Sequence, residues 1–295
     1  MEILNITVSD QWVGHTLADL IGVFHVGDKK YRKLQEDNLI SVNAEFVAYS
    51  TILKINDIIK IDLTPFEKRD FVPESSKITV LYENDWMLII DKPSGIIIYP
   101  ETKNQLGTLV NRIAGFYEHR GYDRQIRYLH RLDKDTTGCF ACAKHFLAHS
   151  YYSHLWDHHQ IERTYLAFVT GQLVNPKGTI SAPISKNRHV NNKFRVSATG
   201  DQATTEYEVV DDYVEYSLVR LRLITGKTHQ IRVHMAHIGH PLLGDPIYGG
   251  DMRLIKRTAL HSETITFPNP LKNVPVTVLS PLPKDMASLI KARRP

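Results

Sequence analysis

The alternation of apolar and polar positions divides the chain into a short first part and a long second part. In residues 1–64, helical stretches near Thr16 to Phe24 and Lys29 to Asp37 precede strand-like alternation that Asn-Ala and Asn-Asp turn signals interrupt. Residues 65–77 contain two prolines and mixed charge, which indicates a linker. The pattern therefore predicts a small N-terminal α/β domain, a linker and a second domain over residues 78–295.

Strands dominate the second part of the chain. Residues 78–92 have the pattern of two apolar strands joined at Glu83-Asn84-Asp85, and most later apolar segments alternate with a period of two. Helical periodicity is limited to about 107–118, 144–160 and 228–238. We therefore expect an α+β fold with a large, mostly antiparallel mixed sheet and flanking helices.

The helix near residues 228–238 has an apolar stripe made of Ile231, Met235 and Ile238. Thr228 is expected to cap this helix, which would begin at His229. Arg232 lies off the apolar stripe, and this position alone predicts only a surface arginine.

The overall composition is that of a folded, soluble protein with a basic balance of charge. Hydrophobic residues make up 42% of the 295 residues, and no apolar run reaches the roughly eighteen residues of a membrane helix. The first residues lack the basic-then-apolar layout of a secretory signal. We therefore expect a cytoplasmic monomer that does not bind membranes. The net charge of +4 and a pI near 8.9 favour a polyanionic partner.

Two cysteines, Cys139 and Cys142, lie in the apolar segment Gly-Cys-Phe-Ala-Cys-Ala. The composition of this segment favours a strand, and a strand would point the two side chains to opposite faces. The spacing therefore argues against a disulfide and against a metal site, and it indicates two small core residues.

Two clusters of basic residues are candidates for contact with a polyanion. The first lies near the start of the second predicted helix, where phosphate could also meet free backbone amides, and the second lies in a loop without acidic residues. The first cluster is Lys29, Lys30, Arg32 and Lys33, and the second is Lys186, Arg188, Lys193 and Arg195. Each cluster has the alternative interpretation of an ordinary solvated surface.

The densest set of reactive side chains lies between two apolar segments at residues 128–138. It contains Asp133 between Arg131 and Lys134, and nearby cations favour the ionised form of a carboxylate. An ionised carboxylate can attack an electrophilic carbon. The same residues also suit an ordinary charged turn, and the chemistry of the segment alone leaves both interpretations open.

Residues 130–138, His-Arg-Leu-Asp-Lys-Asp-Thr-Thr-Gly, resemble the H-R-L-D-x-x-T-S-G motif of the RluA-type pseudouridine synthases, with Thr137 in place of the usual Ser. Three further stretches resemble segments of that family in the same order. They are DKPSGIIIYP at 91–100, IERTYLAFVTG at 161–171 and LRLITGKTHQIRVHMAHIGHPLLGDPIYG at 221–249. In the first of these, Tyr99 stands where His is common.

The resemblance implies a catalytic role for three residues and an RNA-binding role for a fourth. It implies that Asp133 is the nucleophile, that Arg232 pairs with Asp133 and that Tyr165 handles a proton. It also associates Arg131 with displacing the target base, which must be flipped out of the stacked RNA. Strand alternation would place the Tyr165 phenol opposite Leu166 and Phe168.

The same resemblance implies the substrate class. Family members modify structured RNA without a cofactor, and ribosomal RNA is the expected partner, with transfer RNA as the alternative. The N-terminal part resembles an S-four-type RNA-binding domain, although Ala44 and Asn56 stand where that domain usually has Gly.

Two rival interpretations remain from the sequence. The pairs His145/His149 and His154/His158 have the i, i+4 spacing of helical zinc ligands, as in a metal-dependent hydrolase or nuclease. No His-Glu-x-x-His occurs and no third ligand can be named, so we predict no metal site. The other rival is a non-catalytic RNA-binding protein. The presence of Asp133, Tyr165 and Arg232 together argues against it, because a relative that has lost catalysis is expected to lack one of them.

Overall fold

The computed structural model describes residues 2–102, 105–272 and 274–291. Its first elements form a small α/β unit with a three-stranded antiparallel sheet. The middle strand of this sheet is the last of the three in sequence order. These elements are β1 (Ile3–Thr7), α1 (Leu17–Gly22), α2 (Asp28–Glu36), β2 (Ile40–Val42) and β3 (Ile58–Asp62). Both helices predicted in this part are confirmed.

The small unit packs directly on the rest of the protein. Phe24 stacks on Trp86 with ring centroids 5.1 Å apart, and Phe66 lies 4.1 Å from Phe146 by the same measure. In the segment predicted as a linker, the buried side chain of Glu67 forms an ion pair with the buried Arg127. The segment is therefore held against the larger part, and the division of the chain into domains stays a prediction.

The larger part is built on one extended mixed sheet. Its strands are β4 (Thr79–Glu83), β5 (Met87–Lys92), β6 (Arg127–Tyr128), β7 (Thr137–Ala143), β8 (Glu162–Thr170), β9 (Lys177–Ser181), β12 (Thr204–Asp212), β13 (Tyr216–Leu223), β14 (Leu260–Pro268) and β15 (Pro275–Leu279). Among the described residues these strands follow the order β4-β5-β7-β14-β8-β13-β12-β9, with β6 beside β7 and β15 beside β14. The pairing of β7 with β14 is parallel and the other pairings are antiparallel. The predicted α+β fold with a large, mostly antiparallel sheet is confirmed.

A separate hairpin of β10 (Ile184–Lys186) and β11 (Phe194–Val196) stands beside this sheet. The flanking helices are α3 (Leu109–His119), α4 (Phe146–Asp157), α5 (Gln230–His237) and α6 (Lys284–Lys291). The first three lie where helical periodicity predicts them. The fourth was not predicted from the sequence, and its Met286 and Leu289 are buried in the same hydrophobic cluster as Phe168.

The strand β7 is buried along its whole length. Cys139 and Cys142 are both free and buried, and they belong to different hydrophobic clusters on the two sides of the sheet. The prediction that they are core residues on opposite faces is confirmed. No helix in the described part of the chain is long and apolar enough to cross a membrane.

The register of three adjacent strands positions the candidate chemistry. Gly138 at the start of β7 pairs with Ser262 of β14, and Ser262 pairs with Tyr165 of β8. A Cβ atom at Gly138 would lie 2.2 Å from the Ser262 carbonyl oxygen, and its φ of +104° also favours glycine. The close approach brings the loop that carries Asp133 to the same end of the sheet as Tyr165.

Candidate active site

Asp133 lies in the loop between β6 and β7, at the wall of a cleft of about 600 Å³. We call this the active-site cleft, and its lining includes Tyr99, Arg131, Asp133, Trp156, Arg163 and Tyr165. The backbone N–H of Thr136 donates to the Asp133 carbonyl at 3.1 Å, which closes the turn behind the carboxylate. The predicted loop position of Asp133 is confirmed.

A buried lysine supports this loop from beneath. The Lys92 side chain is fully buried, and its Nζ donates to the carbonyl oxygens of Lys134 at 2.8 Å and Thr136 at 2.9 Å. Burial lowers the pKa of Lys92 to about 7, against the opposing influence of Asp135 and Asp133. Lys92 thus ties the end of β5 to the residues that follow the carboxylate.

Arg232 joins Asp133 to a second carboxylate. Its Nη1 donates to Asp133 Oδ2 at 2.8 Å, while Nε and Nη2 donate to the two oxygens of Asp245 at 2.6 and 2.9 Å. Although burial opposes it, the bonds to Asp245 and Asp133 raise the pKa of the Arg232 guanidinium. The bidentate bond to Asp245 fixes the guanidinium plane, and the remaining nitrogen orients Asp133.

Asp245 was missed by the sequence analysis. Its carboxylate is fully buried and also accepts the backbone N–H groups of Ile247 at 3.0 Å and Tyr248 at 3.3 Å. The sequence signal for Asp245 is the Gly-Asp-Pro-Ile-Tyr-Gly stretch at 244–249, which resembles the end of a family motif. The predicted meeting of Arg232 and Asp133 is confirmed, and Asp245 is the residue that makes it rigid.

Tyr165 lines the same cleft as Asp133 and is 4% exposed. Leu166 and Phe168 belong to the hydrophobic cluster on the other side of the sheet, so the predicted alternation along β8 is confirmed. Burial raises the pKa of the Tyr165 phenol, Asp133 raises it further, and Arg163 and a hydrogen bond with Ser262 oppose the rise. The phenol therefore keeps its proton at neutral pH.

Arg131 lies at the exposed edge of the cleft. Its Nη1 donates to the Tyr99 hydroxyl at 2.9 Å, and its Nη2 donates to the Thr228 hydroxyl at 3.4 Å. The guanidinium therefore spans the cleft mouth between two polar side chains and has no carboxylate partner among the described residues. An arginine in this position can enter or leave the cleft without breaking an ion pair.

The prediction that Thr228 caps a helix starting at His229 is wrong. The helix α5 begins at Gln230, and His229 before it has a left-handed backbone with φ of +58°. The Gln230 side chain accepts the N–H of Lys227 at 2.9 Å and the hydroxyl of Thr225 at 2.8 Å. These two bonds fix the turn before α5, and among the described residues no side chain caps the first turn of the helix.

The left-handed backbone directs the His229 ring at the carboxylate. His229 Nε2 lies 3.7 Å from Asp133 Oδ2, and its Nδ1 lies 3.0 Å from the Tyr248 hydroxyl. Burial lowers the pKa of His229, while the charge of Asp133 raises it. Non-glycine residues with positive φ concentrate at functional sites, and here the strained residue contacts the site. His229 is not among the site residues predicted from the sequence.

Comparisons with known proteins identify the family of this chain. A family model described as RNA pseudouridylate synthase matches residues 86–237. The RNA pseudouridine synthase YhcT of Bacillus subtilis is 41% identical over 254 residues, covering 85% of this chain and 84% of that protein. This chain belongs to the RNA pseudouridylate synthase family. It is an enzyme of the isomerase class that acts on RNA.

Other pseudouridine synthases show the same relationship at lower similarity. The ribosomal large subunit pseudouridine synthase D of Xylella fastidiosa is 34% identical over 252 residues, covering 81% of this chain and 76% of that protein. The solved structure of human RNA pseudouridylate synthase domain containing 1 has a TM-score of 0.59 at 22% identity, covering 75% of this chain and 97% of that one. The structural likeness establishes the pseudouridine synthase fold.

The second basic cluster of this pseudouridine synthase lies on the hairpin of β10 and β11, which we call the basic hairpin. Lys186, Arg188 and Arg195 are exposed, and Lys193 lies 5.8 Å above the Tyr248 ring. The Phe194 N–H donates to the Tyr248 hydroxyl at 2.9 Å. Tyr248 therefore links the basic hairpin to His229 and the active-site cleft.

The first basic cluster lies on α2, and none of its four residues lines the active-site cleft. Lys30 stands 5.4 Å above the Phe146 ring, and burial lowers its pKa, as does the nearby Arg127. Lys33 forms an ion pair with Asp37. No partner within the described residues is found for the side chains of Lys29 and Arg32, and both residues are exposed.

The histidine pairs considered as metal ligands have other contacts. His145 Nδ1 accepts the Ala148 N–H at 3.2 Å and so caps α4. The ring of His154 stacks on His25 at 3.6 Å and lies 4.1 Å from His158. Within residues 2–102, 105–272 and 274–291, no three His, Cys, Asp or Glu side chains are grouped to hold a metal ion.

Proposed function

We propose that this enzyme converts uridine to pseudouridine in the RNA of the large ribosomal subunit, with Asp133 as its nucleophile. The observation that carries the proposal is the bond from Arg232 to Asp133 at the wall of a cleft that also contains Tyr165. Several relatives, among them those of Xylella fastidiosa and Escherichia coli, are named ribosomal large subunit pseudouridine synthase D, which supports the choice of substrate.

The chemistry follows from what the cleft contains. Pseudouridine formation breaks the bond from ribose C1′ to the base nitrogen, turns the base and rejoins it through a ring carbon. The Asp133 carboxylate, which accepts a hydrogen bond from Arg232, is the group that attacks C1′, adds to the base ring or promotes elimination to a glycal. Each of these three routes uses one ionised carboxylate at the same place.

Two further side chains complete the proposed mechanism. The Tyr165 phenol lines the cleft beside Asp133 and relays the proton that leaves the newly bonded carbon. Its oxygen accepts that proton while its own hydroxyl proton passes to the Asp133 carboxylate, which is released when the new carbon–carbon bond has formed. Arg131 at the cleft mouth exchanges its bonds to Tyr99 and Thr228 for contacts in the RNA, where it fills the space of the flipped nucleotide.

The substrate proposal is tested by mapping pseudouridines in RNA from cells with and without the gene. We expect one or more sites in large-subunit ribosomal RNA to lose the modification, and expression of the wild-type chain to restore it. If only transfer RNA loses pseudouridine, transfer RNA is the substrate in place of ribosomal RNA, and the enzyme class is unchanged. The purified protein should modify the same sites in transcribed ribosomal RNA.

We propose that the basic hairpin and the N-terminal S-four-like unit bind RNA through phosphate contacts. Reversing charge in Lys186, Arg188 and Arg195 is expected to weaken RNA binding and to flatten its salt dependence. For every phosphate that the variant no longer neutralises, the slope of log K against log salt should fall by about 0.7 to 0.9. Binding titrations at several salt concentrations measure both quantities.

A second charge-reversed variant, with Lys29→Glu and Arg32→Glu, separates the two surfaces. It keeps Lys30 and Lys33, whose side chains contact Phe146 and Asp37. The matched control is Lys272→Glu, an exposed cation outside both clusters. If either clustered variant binds RNA with the affinity and salt slope of the control, that surface does not contact RNA.

A further inference from the structure

Arg163 is a buried cation without an anionic partner. The residue is 7% exposed, and within the described part of the chain its guanidinium makes no ion pair and no hydrogen bond. Its Nε atom is fully buried and unpartnered. A buried charge is costly unless an opposite charge or hydrogen-bond acceptors compensate it. The arrangement therefore indicates that a ligand supplies the missing acceptor.

The guanidinium lies over an aromatic ring in the lining of the active-site cleft. Its central carbon lies 4.5 Å from the centre of the Trp156 ring. On another side it faces Gly226, where a Cβ atom would come within 3.5 Å of Arg163 Nη1. These contacts with the Trp156 ring and with the backbone at Gly226 confine the guanidinium but leave its hydrogen-bond donors without acceptors.

The neighbours of Arg163 leave its charge uncompensated. Burial lowers the pKa of His130 to about 3, and Arg163 lowers it as well, so the imidazole is neutral. Asp133 already accepts from Arg232. Arg163 and Tyr165 are two residues apart on β8, so both side chains project from the same face and both line the cleft.

We propose that Arg163 binds the uracil base at the moment of detachment and stabilises the negative charge that the base then carries. This inference rests on the proposed function of the cleft. When the bond from C1′ to N1 breaks, its electron pair leaves with N1, and the charge spreads over N1, O2 and O4 of the ring. Addition to the ring likewise places charge on the carbonyl oxygens. In each route Arg163 meets a charge that is absent from the bound uridine.

The position of Arg163 favours the base over an RNA phosphate. A phosphate of the RNA backbone is hydrated and bulky, and exposed cations such as Arg131 at the cleft mouth suit it better. The space beside Arg163 has an aromatic wall in Trp156 and a phenol in Tyr165, which match a flat heterocycle with polar edges.

The first test compares Arg163→Gln and Arg163→Lys with the wild-type enzyme in single-turnover reactions on RNA. Loss of a donor to a charge that develops during reaction costs roughly 10²- to 10³-fold in rate. We expect the rate of Arg163→Gln to fall by that factor and the rate of Arg163→Lys to be at least tenfold higher than that of Arg163→Gln. The RNA affinity of both variants should equal that of the wild type. The matched control is Arg222→Gln, an exposed arginine paired with Glu206 on the surface.

The second test uses RNA that carries 5-fluorouridine at the target position. Fluorine withdraws electrons from the ring and stabilises the detached anion, so the enzyme depends less on Arg163. We expect the rate defect of Arg163→Gln, followed as loss of the N-linked nucleoside, to shrink at least tenfold on this substrate. If Arg163→Gln does not fold, Arg163→Lys is compared on the two substrates in the same way.

Two outcomes would overturn the inference. Weaker RNA binding with a reduced salt slope and an unchanged rate would identify Arg163 as a phosphate contact. An equal defect on uridine and 5-fluorouridine would show that no leaving-group charge is stabilised. Either result leaves the wild-type enzyme active, whereas a wild-type protein that makes no pseudouridine in any RNA would reject the proposed function itself.

Discussion

Replacing Asp133 by Asn is expected to abolish pseudouridine formation while RNA affinity stays near that of the wild type. The amide has almost the same shape and keeps one oxygen that can accept from Arg232, but it is uncharged and a poor nucleophile. Removal of an enzyme's nucleophile typically costs on the order of 10⁴-fold or more in turnover. Single-turnover assays and binding titrations on the same RNA measure the two effects separately.

The matched control for this substitution is Asp135→Asn in the same loop. Asp135 does not line the cleft, and its contact with Arg257 is made by the backbone carbonyl. The control should retain most of the activity. Wild-type rates from Asp133→Asn would rule out the proposed nucleophile, and equal losses in both variants would point to loop structure as the cause.

Replacing Arg232 by Met is expected to destabilise the protein and to remove its activity. The substitution leaves the Asp245 carboxylate, which is fully buried, without its bidentate partner. Removing one partner of a buried ion pair costs about 3–5 kcal/mol in the free energy of unfolding. Urea denaturation followed by circular dichroism measures that loss at neutral pH.

A double variant separates the structural from the catalytic role of Arg232. In Arg232→Met with Asp245→Asn, the buried charge is gone and the amide oxygen still accepts the N–H groups of Ile247 and Tyr248. We expect stability to recover in part and activity to remain absent, because Asp133 still lacks its cation. Recovery of activity together with stability would mean that Arg232 acts only in folding.

An exposed arginine provides the reference for these stability measurements. Arg222 pairs with Glu206 at 3.0 Å, and both side chains are nearly half exposed. Surface pairs of this kind contribute at most about 1 kcal/mol. Arg222→Met should therefore leave the free energy of unfolding and the activity close to those of the wild type. If Arg222→Met lowered the free energy of unfolding as much as Arg232→Met does, burial of the ion pair would not explain the effect of Arg232→Met.

The sequence by itself determined the features that depend on short-range periodicity. Strand alternation places Tyr165 on the face opposite Leu166 and Phe168 and separates Cys139 from Cys142, because successive side chains of a strand point to opposite faces. Helical periodicity places Ile231 in the core, and the charged run around Asp133 indicates a loop. Each of these features follows from neighbours within a few residues, which the sequence displays directly.

The tertiary structure decided which of these residues meet. Arg232 and Asp133 are 99 positions apart, and their contact depends on how α5 packs against the loop before β7. Similarity of motifs predicts that pair, but the sequence does not show that Asp245 completes it or that Arg163 lacks a carboxylate. The Thr228 cap was predicted wrongly because the Gln230 side chain, a competing partner, forms the turn. Pairing and burial of charges depend on long-range packing, and only the folded chain determines that packing.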